Sequence, residues 1–318
     1  MTTVDIPTET AVKEPLPAAV KRKLSSPWAT ALVIFITVLW TIPTFGLFIT
    51  SLRSSAYADN TNWIWALFHW DHFGFTLHNY SEIITGGNII PQGMEPYLIN
   101  SFAIAIPAAI FPLVIASMAA YALAWIPFRG ATFIFFAIFA LQVVPLQMAL
   151  LPLLRLTVTL KDAIANIPGF ENFSLTTTYI PLWSAHTMFA LPLAIFLLHN
   201  FIAQLPREVM EAARVDGASH FLIFRKIVLP LAVPAIASFA IFQFLWVWND
   251  YLVALTFAGG TPDVAPVTVY LANIQGTYGS QLHLSTAGAF VAIIVPLIVF
   301  FSLQRFFVRG LVSGSVKG

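Results

Sequence analysis

The chain has 318 residues, of which 58% are hydrophobic and only 9% are charged. Because a typical soluble domain is about one quarter charged, this composition indicates an integral membrane protein. The formal net charge of +1 argues against nucleic acid as a partner, and the absence of cysteine excludes disulfides and thiol chemistry.

Residues 1–27 are polar and include the basic run Lys21-Arg22-Lys23, which predicts a cytoplasmic tail. The first apolar segment follows at 28–52, and Ala56-Tyr57-Ala58 after it resembles a signal-peptidase site. The apolar run is too long for the core of a signal peptide, and Arg53 interrupts the pattern. We therefore predict an uncleaved first helix.

Six apolar segments are each long enough to cross a bilayer, which takes roughly 20 helical residues. The predicted fold class is an all-α membrane protein, a polytopic bundle of six transmembrane helices within residues 28–306. Prolines interrupt the segments. Because kinked helices need neighbours that bond the freed carbonyl groups, we expect a packed bundle around a cavity. The predicted spans are 28–52, 97–126, 131–154, 178–203, 231–255 and 282–306.

Three loops are predicted to be external, and one of them, between the third and fourth spans, carries Arg155 and Lys161. Residues 53–96 are rich in Trp, His, Asn and Gly, which indicates an ordered loop with tryptophans at the membrane interface. Residues 256–281 form another of these loops. The side that holds both termini carries twelve Lys or Arg, whereas the opposite loops carry three, Arg53, Arg155 and Lys161. The positive-inside rule therefore predicts that both termini are cytoplasmic.

Residues 205–230, between the fourth and fifth spans, hold four of the fifteen basic residues and three of the fourteen acidic residues. Pro206 suits the first turn of a helix, Gly217 suits a left-handed stop, and Ser219 suits the start of a second helix that Pro230 would end. The pattern predicts a helical hairpin on the cytoplasmic side. Bulky apolar side chains could insert into a groove on a soluble partner: Val209, Phe221, Leu222 and Phe224.

The spacing of Glu211-Ala212-Ala213, Asp216-Gly217-Ala218 and Ile227-x-Leu229-Pro230 resembles the EAA loop of ABC importer permeases of the carbohydrate (maltose and α-glucoside, MalG-like) type. The resemblance implies that the helical hairpin docks into a cleft of an ATPase subunit. An alternative role for Glu211 is local, because Arg207 and Arg214 lie within one helical turn of it. The predicted coupling residues are Arg207, Glu211, Ala212, Ala213, Arg214, Asp216 and Gly217.

Residues 307–318 resemble the C-terminal tail of the same subunit type, which reaches the interface between two ATPase subunits. The glycines fit this resemblance, because a tail in a narrow interface needs small residues and a flexible backbone. A membrane-proximal basic tail is the alternative. The predicted contact residues are Arg309, Gly310, Gly314 and Lys317.

Polar side chains within spans are costly in lipid, so they are candidates for a solute path. Amides and a carboxylate beside tryptophans suit sugar hydroxyls and sugar faces. Packing within the bundle, or anchoring at the membrane interface, is the alternative for each residue. The candidates are Gln142, Gln147, His186, Gln243, Asn249 and Asp250.

The sequence has no Gly-x-x-x-x-Gly-Lys-Ser/Thr phosphate loop, so ATP must be hydrolysed by another chain. We expect a non-enzymatic chain without its own cofactor or metal, and ATP and Mg²⁺ on a partner.

The resemblance implies the permease subunit of an ATP-driven sugar importer in the bacterial cytoplasmic (inner) membrane. It also implies three partners: a cytoplasmic ATPase homodimer, a second, MalF-like permease subunit and an extracytoplasmic sugar-binding protein. The rival hypothesis is an ion-gradient-driven secondary transporter, which would require inverted repeats and a midplane ion site.

Overall fold

The computed structural model of the protein describes residues 27–169, 175–260, 262–277, 279 and 281–313, without the side chains of residues 176 and 304–313. Within those ranges the regular secondary structure is helical apart from one isolated β-bridge between Arg53 and Phe75, and turns and loops connect the helices. The α-helices are α1 (Pro27–Ser51), α2 (Ser55–Ala58), α3 (Trp63–Phe68), α4 (His78–Thr85), α5 (Glu95–Trp125), α6 (Ala131–Leu141), α7 (Leu146–Ala165), α8 (Ile180–Ile202), α9 (Arg207–Val215), α10 (His220–Ile223), α11 (Leu229–Trp248), α12 (Leu252–Ala258), α13 (Val267–Thr277) and α14 (Leu282–Ser313).

Five helical segments in the described ranges are long and apolar enough to cross a membrane, and the pair α6 and α7 makes a sixth if it counts as one broken span. Helices α1, α5 and α8 begin and end within two residues of the predicted spans. The predicted all-α membrane bundle is therefore confirmed. Helices α5 and α8 pack along each other in its centre, α11 lies against both, and α14 lies against α1 and α11.

The third span differs from the prediction of one continuous helix over 131–154. Helices α6 and α7 meet at an angle of 98° across a break of four residues. Pro145 lies at this break with an extended ψ of 129° and begins α7. Proline lacks the N–H that would continue α6, and it forces the preceding residue towards extended backbone. The uniform hydropathy of the segment predicts one helix, but the backbone restrictions of Pro145 divide it into two.

The fifth span also differs from its predicted limits. Pro230 does not end the second helix of the hairpin but lies in the first turn of α11, where its missing N–H costs nothing. A π-helical turn, Phe224–Val228, joins α10 to α11, so one span runs from His220 to Trp248. The span stops there because the Asp250 carboxylate accepts the backbone N–H of Ala254, at 2.9 Å, and starts α12.

Three prolines inside the helices free a carbonyl group four residues earlier, and a side chain from a neighbouring helix donates to each of these carbonyls. This is the arrangement by which kinked helices remain stable away from water. The hydrogen bonds from neighbouring helices agree with the predicted packed bundle, in which neighbours bond the carbonyl groups that the prolines free. The accepting carbonyls and their donors are Ala103 with Trp183 at 2.9 Å, Ala108 with Gln243 at 3.4 Å, and Ala292 with Trp248 at 3.2 Å, freed by Pro107, Pro112 and Pro296 respectively.

The two ends of the bundle carry different structures. We define the cap as residues 53–96 and the described residues of 249–281, and the opposite end carries the helical hairpin. Helix α1 ends at the cap, and α14 begins there, where His283 Nδ1 lies 3.3 Å from Asp59 Oδ1. Because α1 and α14 each cross the bundle once from the cap, their outer ends, Pro27 and Ser313, lie at the hairpin end.

Arg53 holds the first part of the cap together. Its side chain has 0% exposure, and its guanidinium donates to the carbonyl oxygens of Tyr57 and Thr61, each at 2.9 Å. It also donates to the carbonyl oxygen of Phe73 at 3.3 Å. A buried charge is tolerated when its hydrogen-bonding capacity is filled. Arg53 therefore acts as a structural centre of the cap.

Glu82 and Asn100 fix two further segments of the cap. The buried Glu82 carboxylate accepts the backbone N–H groups of Ile89, at 2.6 Å, and of Ile90, at 3.0 Å. Burial raises the pKa of Glu82, but these two backbone donors and nearby His78 outweigh it and hold the pKa below its ordinary value. Asn100, near the N-terminal end of α5, donates to the carbonyl oxygen of Ala265 at 3.0 Å. The cap is thus tied directly to a central helix.

Candidate functional site

The turn of the helical hairpin has the geometry of a Schellman motif. Gly217 adopts a φ of +78°, as the sequence predicts for a left-handed stop. Its N–H donates to the carbonyl oxygen of Arg214, and the N–H of Ala218 donates to that of Ala213, both at 3.0 Å. The Ser219 side chain then accepts the N–H of Leu222 at 3.3 Å, which starts α10. The backbone groups at the end of α9 and at the start of α10 therefore find hydrogen-bond partners within the turn. These bonds fix the angle between the two helices.

The inner face of the hairpin is fixed to the bundle. Met210 is buried with 1% exposure in an apolar cluster that includes residues of α5 and α8. The guanidinium of Arg214 donates to the carbonyl oxygen of Trp125 at 2.8 Å, at the end of α5. The Tyr121 hydroxyl lies 3.0 Å from His220 Nδ1. The hairpin is therefore bonded to α5 by two polar contacts as well as by apolar packing.

The outer face of the hairpin combines acidic and apolar side chains. Glu211, Ala212 and Asp216 are exposed, and so are Val215 at 88% and Phe221 at 69%. Among the described residues Glu211 has no ion pair, and Arg214 turns away from it to the backbone of α5. The exposed face suits contact with another protein, because bulky apolar groups here have no partner within the bundle.

One of the apolar residues assigned to that contact lies elsewhere. Phe224 packs against the Tyr121 ring with centroids 5.4 Å apart and is partly buried, so it does not face a partner. Val209, Phe221 and Leu222 are exposed as predicted. The residues that anchor the hairpin, Met210 and His220, are not identified by the sequence pattern alone. The signal for Met210 is that it is the long apolar side chain three positions before Ala213 on the same helical face.

The last helix is longer than predicted. Helix α14 continues to Ser313, seven residues beyond the predicted end of the span, so Arg309 and Gly310 belong to a helix rather than to a flexible tail. Nothing in this stretch stops the helix, because the single glycine costs only about 1 kcal/mol. Gly314 and Lys317 lie outside the described residues.

A cavity of about 640 Å³ lies between α8, α11 and the break that joins α6 to α7. Three of the predicted path residues, Gln142, His186 and Gln243, line this cavity. No lining residue is Asp, Glu, Lys or Arg. Its aromatic walls come from α8 and α11: Phe189, Phe239, Phe242 and Trp246. The break of the third span thus creates the space, and the polar groups converge on it.

The other three predicted path residues do not line the cavity. Gln147 is exposed in the first turn of α7. The Asn249 amide donates to the carbonyl oxygen of Leu245, at 2.8 Å, at the end of α11. Asp250 lies at the start of α12, with Oδ2 3.8 Å from His186 Nε2. Among the described residues no three His, Asp or Glu side chains are grouped closely enough to hold a metal ion.

Comparisons with known proteins agree with this geometry. Residues 113–313 match the family model described as the binding-protein-dependent transport system inner membrane component. The chain is 48% identical over 288 residues to the osmoprotective compounds uptake permease protein GgtD of Synechocystis sp., covering 90% of each chain. It is 51% identical over 244 residues to the alpha-glucoside transport system permease protein AglG of Rhizobium meliloti, covering 77% of this chain and 61% of that one.

A solved structure shares the fold. A chain in the crystal structure of a bacterial alginate ABC transporter, in complex with an alginate pentasaccharide-bound periplasmic protein, superposes with a TM-score of 0.60 at 12% identity, covering 91% of this chain and 96% of that one. The matched family model includes α8, the helical hairpin, α11 and α14. The chain therefore belongs to the family of binding-protein-dependent transport system inner membrane components, and it is a permease rather than an ion-gradient-driven secondary transporter.

Proposed function

We propose that this chain is the permease subunit of an ATP-driven importer of neutral glycosides, and that the helical hairpin is the docking site of its ATPase. The observation that carries the proposal is the two-sided hairpin. Its inner face is bonded to α5 through Arg214 and Trp125, and its outer face exposes Glu211, Val215 and Phe221. A partner that grips the outer face would move the spans, because the inner face is attached to them.

The path of that movement follows the covalent chain. The π-helical turn Phe224–Val228 makes α10 continuous with α11, so displacement of the hairpin acts on a span without an intervening loop. The ATP and Mg²⁺ would bind to the partner, an ATPase homodimer. We extend the same assignment to Arg309 and Gly310, which lie in the last part of α14, and to Gly314 and Lys317, which follow it in the sequence.

The names of relatives support a glycoside as the solute. Besides osmoprotective compounds and alpha-glucosides, a relative from Mycobacterium tuberculosis, 35% identical over 248 residues, is a trehalose transport system permease protein, SugB. The cavity has amide, imidazole and aromatic walls without a charged side chain. Such walls suit an uncharged solute, because an ionic solute would require a countercharge.

We propose further that a second, MalF-like permease subunit completes the path. An extracytoplasmic sugar-binding protein would dock on the cap. The hairpin and both termini would then be cytoplasmic, since an ATPase reaches the hairpin only from that side of the bacterial inner membrane. The twelve-to-three distribution of basic residues supports this orientation.

The test uses the complete transporter in proteoliposomes, with Glu211→Ala in the hairpin and Glu95→Ala as the matched control. Glu95 is also an exposed acid on a helix, but it lies in the first turn of α5 at the cap end. We expect Glu211→Ala to weaken ATPase association and to lower ATP-dependent trehalose uptake, and Glu95→Ala to leave ATPase association unchanged. Equal ATPase association and equal uptake in both variants would contradict the docking site.

A further inference from the structure

Helix α3 of the cap presents an exposed apolar flank. Ile64 and Phe68 lie one helical turn apart on the same side of α3, and their side chains are 53% and 79% exposed. Trp70, just after the helix, is 73% exposed. Clustered apolar groups that remain exposed mark a contact with another protein or with a membrane. The depth of α3 relative to the bilayer decides between these two kinds of contact.

The depth of α3 is set by its packing on α1. The Trp63 ring lies against Gly46, where an added Cβ atom would overlap it, and it meets the Phe45 ring edge-on with centroids 6.1 Å apart. With Trp28, the second residue of α1, at the inner boundary of the membrane, Gly46 lies about 27 Å further along the helix at 1.5 Å per residue. Because the hydrocarbon core of a bilayer is about 30 Å thick, α3 lies close to the outer boundary of that core.

Contacts with the rest of the protein keep α3 at this depth. The buried Arg53 guanidinium donates to the carbonyl oxygen of Thr61, two residues before α3, at 2.9 Å. Slightly earlier in the chain, Asp59 Oδ1 lies 3.3 Å from Nδ1 of the buried His283 on α14. On the inner side of α3, Ala66 is buried in a small apolar cluster that includes the end of α1. The exposed flank therefore cannot turn inward unless these contacts break.

The neighbouring flank of α3, about 100° round the helix, is polar. The Trp65 ring stacks on the His69 ring with centroids 3.9 Å apart, and the His72 ring meets it edge-on at 5.5 Å. Asp71 Oδ2 lies 2.6 Å from His72 Nδ1, and both of these side chains are exposed. One flank thus suits water and the other suits hydrocarbon. This division is typical of a helix that lies in the plane of a membrane interface.

We propose that α3 is an interfacial membrane anchor, which inserts Ile64 and Phe68 into the outer leaflet and places Trp70 at the level of the headgroups. The ligand is the lipid itself at the boundary between headgroups and acyl chains, where tryptophan is enriched. Helix α3 has no charged residue, so the anchor requires no particular headgroup charge. Because α3 packs on α1 and is bonded through Arg53, the anchor fixes the height of the cap above the membrane. It goes beyond the proposed function, since it depends on neither the solute nor the ATPase.

The experiment uses the absence of cysteine from the chain to place single spin labels. Ile64→Cys and Phe68→Cys are compared with His69→Cys, the matched control on the exposed polar flank. The complete transporter, with cysteine-free partner subunits, is reconstituted in vesicles of phosphatidylethanolamine and phosphatidylglycerol. Collisions of each nitroxide are measured with oxygen, which concentrates in hydrocarbon, and with a water-soluble nickel complex. We expect the labels at 64 and 68 to favour oxygen, at a depth of about 5–10 Å into the boundary between headgroups and acyl chains, and the label at 69 to favour nickel.

Two outcomes of this measurement overturn the anchor. A preference for nickel at all three positions would place the flank in water, as a docking surface for a soluble protein requires. Loss of access for both reagents at 64 and 68 would show that a protein partner covers the flank.

A second measurement needs no substitution. A lipid with a photoactivatable group in the upper part of its acyl chain should cross-link to residues 63–70 of the wild-type chain, as mapped by mass spectrometry. Cross-links to α1 without any to residues 63–70 would also overturn the anchor. Failure of the proposed function is distinct, because neither measurement requires transport.

Discussion

Replacing Gly217 with alanine would isolate the backbone conformation of the hairpin turn from its packing. Gly217 has a φ of +78°, and a Cβ atom added there meets nothing within 4 Å. The new Cβ atom would therefore not clash with any neighbouring residue. What remains is the cost of the left-handed conformation for an L-residue, about 1–2 kcal/mol. Because that free energy changes a folded-to-unfolded ratio by roughly 5- to 30-fold, the hairpin turn should open more often by that factor.

The measurement is amide hydrogen exchange at Ala218, whose N–H closes the Schellman motif on Ala213 at 3.0 Å. Gly217→Asn is the informative companion, because asparagine tolerates the left-handed region better than alanine although it is larger. We expect protection of this amide to fall in the order Gly, Asn, Ala, and ATPase stimulation by the solute-loaded binding protein to follow the same order. An order by side-chain size, with Asn below Ala, would refute the conformational argument.

Three further substitutions test how the hairpin and the cap are held. Met210→Ala should lower the free energy of unfolding by about 2–5 kcal/mol and reduce coupling, whereas Val209→Ala on the exposed face should change thermal stability little. Arg53→Met should lower the free energy of unfolding by about 3–5 kcal/mol, because three carbonyl oxygens lose their hydrogen-bond donor. The control is Arg155→Met, because Arg155 is exposed. Equal melting temperatures of the two variants would contradict the structural role of Arg53. Glu82 has a lowered pKa in the folded state, so it stabilises the cap above the ordinary carboxyl pKa of 4.5, and this contribution is lost as the pH falls through the lowered pKa. Hydrogen exchange of residues 86–94 should therefore speed up below that pH in wild type, and Glu82→Gln should abolish the dependence.

The sequence was most informative where one residue type dictates a backbone conformation. Gly217 in left-handed backbone and Ser219 as a helix start were predicted from the residues alone, and both are present. Long apolar runs located α1, α5 and α8 closely because a bilayer sets the minimum length of such helices. These predictions depend on local chemistry or on helix length, both of which are properties of a short stretch of chain.

The sequence was least informative where two segments compete for one residue. Pro145 could kink a helix or begin a new one, and hydropathy does not distinguish the two. Asp250 was assigned to the solute path, but its carboxylate is occupied by backbone N–H groups of α12. Gln142 and Gln147 are identical in type and similarly placed along the chain, and only the 98° bend separates their surroundings. Such choices are made by tertiary contacts, which a single sequence does not contain.

Helix α5 connects the hairpin, the cavity and the cap, and in the proposed function it would carry a movement of the hairpin to the cavity. Its C-terminal end is bonded to the hairpin through Trp125, and its N-terminal end is bonded to the cap through Asn100. Between them, Pro107 and Pro112 remove two internal hydrogen bonds, and donors from α8 and α11 replace them. One of these donors is Gln243, which lines the cavity, so α5 is bonded to the cavity wall as well as to the hairpin and the cap. In the proposed function, bending of α5 at its prolines would therefore act on the cavity wall as well as on the cap.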